Sequence, residues 1–288
     1  MTGILLLSFM AIDPKTIAAL RILARVLAEE KRSLVLIGAT VPQLLIDRRL
    51  GFEAPARTTR DVDAVVTAAS WEDFDRIRRR LFDAGFRPGS APHELVFDQD
   101  VKIDLIPYGP GLVQNDRLEW PDTDRVISTL GVEEALESAV QEELAPGLSL
   151  RVVPIPGLVL LKLVVYQDRP EERARDLTDV VYCFERYEGR IEGSRRFELT
   201  GMVVEGKPVQ FEEAGAYLLG TEVARLAKAK SLAAVRNFLN MISDEYARPV
   251  FQILTEERRI GNNEGRRSEL FRLFRVFAAG VNKVAKTP

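Results

Sequence analysis

Histidine and cysteine are almost absent from this sequence: 288 residues include one His, His93, and one Cys, Cys183. A single cysteine excludes an internal disulfide framework and suits a reducing compartment. Around it, "DVVYCFERY" reads as a helix, so Cys183 is expected to be a small buried apolar residue. A single histidine excludes a histidine cluster for zinc, and any Ser-His-Asp or Cys-His system would have to use His93. It stands in "GSAPHELVF", a loop entering a strand, where surface or loop packing is expected. Long hydrophobic runs are missing too. The opening "MTGILLLSFM" is too short to span a bilayer and has no basic residue ahead of it, so it reads as an extension before a start near Met10. No other segment reaches membrane length; a cytoplasmic location with no membrane partner is expected. Strong net charge is absent as well. A formal charge of -3 and a pI near 5.6 argue against a protein that coats nucleic acid non-specifically, though not against a local basic groove. Trp71 and Trp120, the two tryptophans, form no pattern for base stacking.

What is present suffices for a substantial core, with 46% hydrophobic and 29% charged residues. Asp13-Pro14 is a helix start, with Asp as cap and Pro at the first position. Ile17, Leu20, Leu23, Val26 and Leu27 then recur at helical spacing. "SLVLIG" reads as a buried strand ending in a Gly turn, and "TVPQLLIDRR" as a second helix. A further helix opens at Ser70, with Asp73 at the capping-box position, and ends at Gly85. "ELVF" and "VKIDLIPY" are strands joined by a turn at Asp98-Gln99-Asp100. One helix is expected in "GVEEALESAVQEEL", then a last strand in "LRVVPIP". From Gly157 the character changes to a series of helices, with a connector and short hairpin between Gly189 and Gly206. The expected class is α+β: a mixed sheet with flanking helices over residues 1–156, followed by a helical region over 157–288.

"RTTRDVDAVV" is a strand with two residues that strands disfavour. Period-two geometry points Asp61 and Asp63 to one side, roughly 6.5 Å apart, while Val62 faces a core. Two neighbouring carboxylates repel each other and are costly to bury unless a cation compensates. A hard cation such as Mg²⁺ reverses that balance. In "VKIDLIPY", Val101, Ile103 and Leu105 take one face and leave Lys102 and Asp104 on the other. If this strand pairs beside Asp61–Asp63, three carboxylates converge, as a two-metal phosphoryl-transfer site requires, with ions about 3.5–4 Å apart. Upstream, the strand–Gly38–helix passage offers backbone N–H groups to phosphate or merely joins two elements. Lys162, inside the apolar "LVLLKLVVY", either snorkels to solvent or projects into a cleft. Asp176 and Asp179 share a helix face and either orient Lys162 and Arg175 or form surface ion pairs. Arg57 and Arg60 flank the strand as phosphate contacts or as a solvated loop. The segments "RIRRR" and "EERRIGNNEGRRSELFRLFR" are solvated helix faces or, beside a cleft, guides for a polyanion.

Taken in order, "IGAT…RTTRDVDAVV…VKIDLIPYG…LVLLKLVVYQDRPEERARDLTDV" resembles the nucleotidyltransferase superfamily of the DNA polymerase β fold. Within it, the chain is most similar to the AbiEii-like branch, the toxins of type IV toxin–antitoxin systems, over residues 15–187. The resemblance puts the family's Gly-Ser or Gly-Gly pair on Gly38-Ala39, its metal-binding Asp-x-Asp on Asp61 and Asp63, and its third carboxylate on Asp104. The helical Lys falls on Lys162, and the Lys/Arg-Asp-x-x-Asp motif on Arg175, Asp176 and Asp179. Ala39 departs from the family by lacking the Ser hydroxyl. The resemblance implies two Mg²⁺ ions and a nucleoside triphosphate, with Gly38, Ala39, Arg57, Arg60, Lys162, Arg175, Asp176 and Asp179 at the nucleotide. It further implies transfer of a nucleoside monophosphate to RNA, tRNA in particular, or to a protein side chain, restrained by a cognate antitoxin. Two alternatives stand beside it: a small-molecule acceptor, as in antibiotic-modifying relatives, and a catalytically silent nucleotide-binding module.

Overall fold

The computed structural model describes residues 12–50, 61–121, 123–189, 193–258 and 263–284. Arg57, Arg60 and the opening segment lie outside these residues. The contacts divide the chain into two compact units: one of the residues up to Val113 with Val140–Val152, the other of Gln114–Ala139 with the residues from Val153 onward. Gln114–Ala139 thus groups with the helical unit.

In the first unit, Asp13 caps helix Pro14–Glu29 by accepting the Lys15 N–H at 3.2 Å, and Ala19, Leu20, Leu23, Val26 and Leu27 form its buried stripe. The strands are β1 (Leu34–Ile37), β2 (Asp61–Thr67), β3 (Arg87–Pro88), β4 (Glu94–Phe97) and β5 (Val101–Tyr108). A hairpin of Val140–Ala145 and Leu148–Val152 completes a seven-stranded sheet, in the order β3-β4-β5-β2-β1, then Leu148–Val152, then Val140–Ala145. The sheet is mixed. β2 pairs antiparallel to β1 and parallel to β5, and β5 pairs antiparallel to β4. The parallel pair needs a crossover, which helix Trp71–Asp83 supplies; Ser70 caps it by accepting the Asp73 N–H, and Gly85 at φ +104° follows its end. Leu36, Val62, Ala64, Val66, Leu95, Val101, Ile103 and Leu105 share one fully buried face, as the alternation in sequence requires.

One expected element is corrected. "GVEEALESAVQEEL" is helical only over Val132–Glu137, and Val140–Ala145 is an edge strand. Pro146 and Gly147, the latter at φ +69°, turn the chain back so that it pairs with the apolar Leu148–Val152. Sheet pairing overrides the helix preference of Glu142 and Glu143, and the charges suit an exposed edge.

The second unit is built on helices Ile155–Asp168, Ala174–Arg186, Phe211–Leu226, Ala229–Asn240, Arg248–Glu256 and Glu264–Val284. The expected hairpin begins in the Gly189–Gly206 connector and runs past it, with Val203–Val204 against Lys207–Pro208. Cys183 is fully buried. Phe184, Phe238, Phe274, Phe277 and Tyr166 form an aromatic chain with ring centroids 4.8–5.7 Å apart. Arg196, 1% exposed, donates to the carbonyls of Phe184, Tyr187 and Phe211, which satisfies its charge locally. Burial pushes that guanidinium down to about 10. Among the described residues no helix is long and apolar enough to cross a membrane.

Helices Phe211–Leu226 and Glu264–Val284 cross at Gly220 and Gly280, where an added Cβ would overlap the carbonyl of Phe277 or Tyr217. In an open helix Gly→Ala gains up to about 1 kcal/mol of propensity. Here a backbone oxygen must move, and overpacking costs about 1–3 kcal/mol. Gly220→Ala and Gly280→Ala should each lower the denaturant midpoint, whereas Gly265→Ala, with nothing within 4 Å, should leave it equal or raise it.

Candidate active site

The polar end of the sheet is set by register. Asp63 stands opposite Asp104 across the parallel β2–β5 pair and opposite Ile37 on β1. Partners in register project to the same side, so Asp63 and Asp104 are side-by-side on adjacent strands, about 4.8 Å apart in the backbone. Asp61, two residues earlier, shares that side with its own partner Lys102. Glu94 on β4 stands opposite Asp104 and adds a fourth carboxylate to the same face. The buried Val62, Ile103 and Leu105 on the other face hold this alternation in place.

Gly38 follows β1 at φ +77°, a left-handed conformation that glycine adopts without strain. It serves a second purpose. A Cβ there would overlap the Asp63 carboxylate, so the bare turn is what lets that carboxylate lie against the end of β1. Ala39 begins the helical segment Thr40–Pro42 with no side-chain cap, consistent with its missing hydroxyl. Thr40 Oγ1 donates to the Asp61 carbonyl at 3.4 Å, which ties the turn to β2 from the other side.

His93 is not a surface residue. It is 5% exposed, and its Nε2 lies 3.5 Å from Asp104 Oδ2. Glu94 is held by the Ser90 N–H at 2.9 Å and by Lys102 Nζ at 3.5 Å. The sequence alone gives His93 surface or loop packing and Glu94 no role, yet the signal for Glu94 is local. A turn at 98–100 between "ELVF" and "VKIDLIPY" fixes Phe97 against Val101 and hence Glu94 against Asp104.

In the second unit, Lys162 neither snorkels nor lies open. It is 8% exposed, and Nζ donates to Asp176 Oδ1 at 2.7 Å and to Asp179 Oδ2 at 2.8 Å. Burial alone would lower its pKa, but the two carboxylates outweigh it and hold the ammonium above the ordinary lysine value. Nearly every other residue of helix Ile155–Asp168 is buried and apolar, so an unpaired charge there would be very costly. Asp176 and Asp179 thus both pair with Lys162. Arg175 does not join them; it is exposed and pairs with Glu256 at 3.2 Å.

The arginine-rich segments are largely committed within the fold. Arg266 pairs with Glu185, Glu257 and Glu269, Arg272 with Glu213, and Arg275 with Glu205. In "RIRRR", Arg76 and Arg80 reach Glu30 and Glu29.

Among the described residues no three His, Cys, Asp or Glu side chains converge into a cage for a metal ion. The donor set on the sheet face nonetheless fits a hard divalent cation. It is made of carboxylate oxygens, with Asp63 and Asp104 in register and Asp61 beside them.

Comparison with known proteins follows the same lines. A family profile described as "Nucleotidyl transferase AbiEii toxin, Type IV TA system" matches residues 21–213, more than half of the chain. No curated protein matches significantly. Solved structures with some likeness include JHP933 from Helicobacter pylori, at 11% identity and a TM-score of 0.41, covering 96% of this chain and 97% of that one. An antigenic nucleotidyltransferase-like protein from Paracoccidioides brasiliensis gives 15% identity and a TM-score of 0.40, covering 78% of this chain and 94% of that one. Likenesses this loose carry no argument about activity.

Two substitutions probe these arrangements. Lys162→Met should cost about 3–5 kcal/mol, because it strands two neighbouring carboxylates in a largely buried place. Adding Asp176→Asn and Asp179→Asn should recover most of that loss in chemical denaturation. The folded pKa of Lys162 is raised, so its contribution is complete below the unfolded value of about 10.4 and is lost only as pH climbs through the folded value. Gly38→Ala should destabilise the protein by roughly 1–3 kcal/mol through its positive φ and its collision with Asp63.

Proposed function

The chain belongs to the AbiEii family of nucleotidyltransferase toxins, and from that membership we propose that it transfers a nucleoside monophosphate from a nucleoside triphosphate to RNA, tRNA in particular, or to a protein side chain. The observation that carries this reading is the register of Asp63 with Asp104, with Asp61 on the same face. Asp61, Asp63 and Asp104 are the residues to hold Mg²⁺, two ions in this reading, which when bound would neutralise charge on the phosphates. Gly38 and Ala39 offer backbone amides to the triphosphate. Asp104 takes the proton of the acceptor hydroxyl as its oxygen forms a bond to the α-phosphorus and pyrophosphate leaves. This divides the work in a simple way: carboxylates for charge and proton, turn amides for position.

Lys162, Asp176, Asp179 and Arg175 are the second unit's candidates for nucleotide binding, with Arg57 and Arg60 added from the flank of β2. An ammonium has three N–H donors, and two of those on Lys162 are directed at Asp176 and Asp179. The third is the one assigned here to phosphate. Membership of a type IV toxin–antitoxin family supports a cognate antitoxin as the restraining partner.

A small cationic acceptor is the second reading. For it the second unit offers an open groove of about 440 Å³ lined by Glu134, Glu137 and Glu222, whose carboxylates also engage Ser231, Lys228, Tyr187 and Arg195. The commitment of the C-terminal arginines to internal carboxylates points the same way, since RNA is drawn by uncommitted positive charge.

Incubation with each labelled nucleoside triphosphate, Mg²⁺ and total RNA, followed by separation of RNA from protein, tests the first reading. Label should appear in RNA or protein. Label in neither, with transfer to an aminoglycoside-like cation instead, would move the second reading to first place. Asp61→Asn with Asp63→Asn should abolish transfer while leaving Mg²⁺-free thermal stability equal or higher, because like charges are removed. A marked loss of that stability would instead assign the pair a structural role. Ala39→Ser should tighten nucleotide binding by no more than roughly a hundredfold, since a hydrogen bond to a charged group contributes about 1.5–3 kcal/mol. Binding and transfer that arise only in Ala39→Ser would mark the native chain as a silent nucleotide-binding module.

A further inference from the structure

We propose that His93 is a positioning residue for Asp104: its Nε2–H holds Oδ2 of that carboxylate and so fixes the direction in which Oδ1 is presented. The inference rests on the nucleotidyl-transfer reading, in which Asp104 accepts a proton and holds a cation. It is a property of the loop before β4, which that reading does not use.

The contact is built into the backbone. The His93 carbonyl accepts the N–H of Leu105, the residue after Asp104, at 2.9 Å. The next residue, Glu94, is the register partner of Asp104. The backbone that carries the imidazole is therefore fixed to β5 at Asp104 and Leu105. Its side chain is 6% exposed while that of Asp104 is 36% exposed, so the carboxylate meets a sheltered ring and stays partly open to solvent. At 3.5 Å the two atoms are in polar contact but beyond the usual range of about 2.7–3.2 Å for an N–H···O hydrogen bond. Catalytic hydrogen bonds are commonly long in a resting site and shorten when substrate is held.

The surroundings of Asp104 suit such a donor. Asp104 has the carboxylates of Asp63 and Glu94 as neighbours on the two adjacent strands. Glu94 is occupied by the Ser90 N–H and by Lys102, so it is held in place and cannot swing away. Among these neighbours, a donor ordered beside Oδ2 selects one orientation of Asp104. Groups that orient a metal-binding side chain in this way typically change affinity or activity by about 10–100-fold when removed.

The full, untagged chain tests this directly, because its only histidine gives one imidazole in a spectrum of ¹⁵N-histidine-labelled protein. In the metal-free protein the ring should be protonated at Nε2, with that proton protected from exchange, and Asp104→Leu should abolish the protection. In turnover, His93→Phe should lower kcat by roughly 10–100-fold with the nucleotide KM little changed. His93→Gln, whose amide N–H can stand near Nε2, should recover most of the loss. The proposal is overturned if Asp104→Leu leaves the Nε2 proton as it was. It is equally overturned if the Phe and Gln variants fold to wild-type stability with equal activity. A wild-type chain that transfers no nucleotide at all would refute the proposed function, while the imidazole spectrum would still decide the contact.

Discussion

The parallel pairing of β2 with β5 is the constraint on which the rest of the site depends. It sets Asp63 against Asp104, and a slip of one residue in either strand would turn carboxylates into the core and valines out of it. Val62, Ala64, Ile103 and Leu105 are each 2% exposed or less, so the apolar face fixes the register from behind. Gly38 then becomes necessary for a reason beyond its backbone angle, because the space of its missing side chain is filled by the Asp63 carboxylate. Turn, strand and carboxylates form one unit of packing. The sheet tolerates three adjacent acids because they sit at its polar end, where β1 stops and β2 and β5 begin.

The second unit handles charge differently. There the ionic groups are closed on themselves: Lys162 between Asp176 and Asp179, Arg266 among three glutamates, Arg196 on backbone carbonyls. These pairs lock helices to one another and leave little uncommitted positive charge on the same elements. The sheet face of the first unit gathers Asp61, Asp63, Asp104 and Glu94 on neighbouring strands, with Lys102 at Glu94. Such a gathering of acids is useful when a cation and a polyphosphate complete it.

Much of this was legible in the sequence, and the parts that were not share a physical cause. Local signals read well: the Asp13-Pro14 and Ser70 helix starts, the Gly38 turn, and the alternation that sets Asp61 and Asp63 apart from Val62 all follow from neighbours within a few residues. The β4–β5 register was also within reach, because a three-residue turn determines it. The same register sets Glu94, the first residue of "ELVF", against Asp104, whereas the approach of His93 to Asp104 depends on the fold of the loop before it. The β2–β5 register is non-local, with a helix and a hairpin between the strands, so no short-range pattern dictates it. "QEEL" misled for a related reason. Its helix preference is real but weak, and pairing with a distant-seeming apolar strand across the Gly147 turn overrode it.

The central claim is that the carboxylates of β2 and β5 form one cation-binding face. Thermal unfolding measured with and without Mg²⁺ and a nucleoside triphosphate tests it most directly, since anything that binds only the folded chain raises its stability by mass action. The account predicts a rise in Tm that requires both components together, and that disappears in Asp63→Asn and in Asp104→Asn. A Tm indifferent to Mg²⁺ at saturating nucleotide, or a rise that persists in both variants, would contradict it.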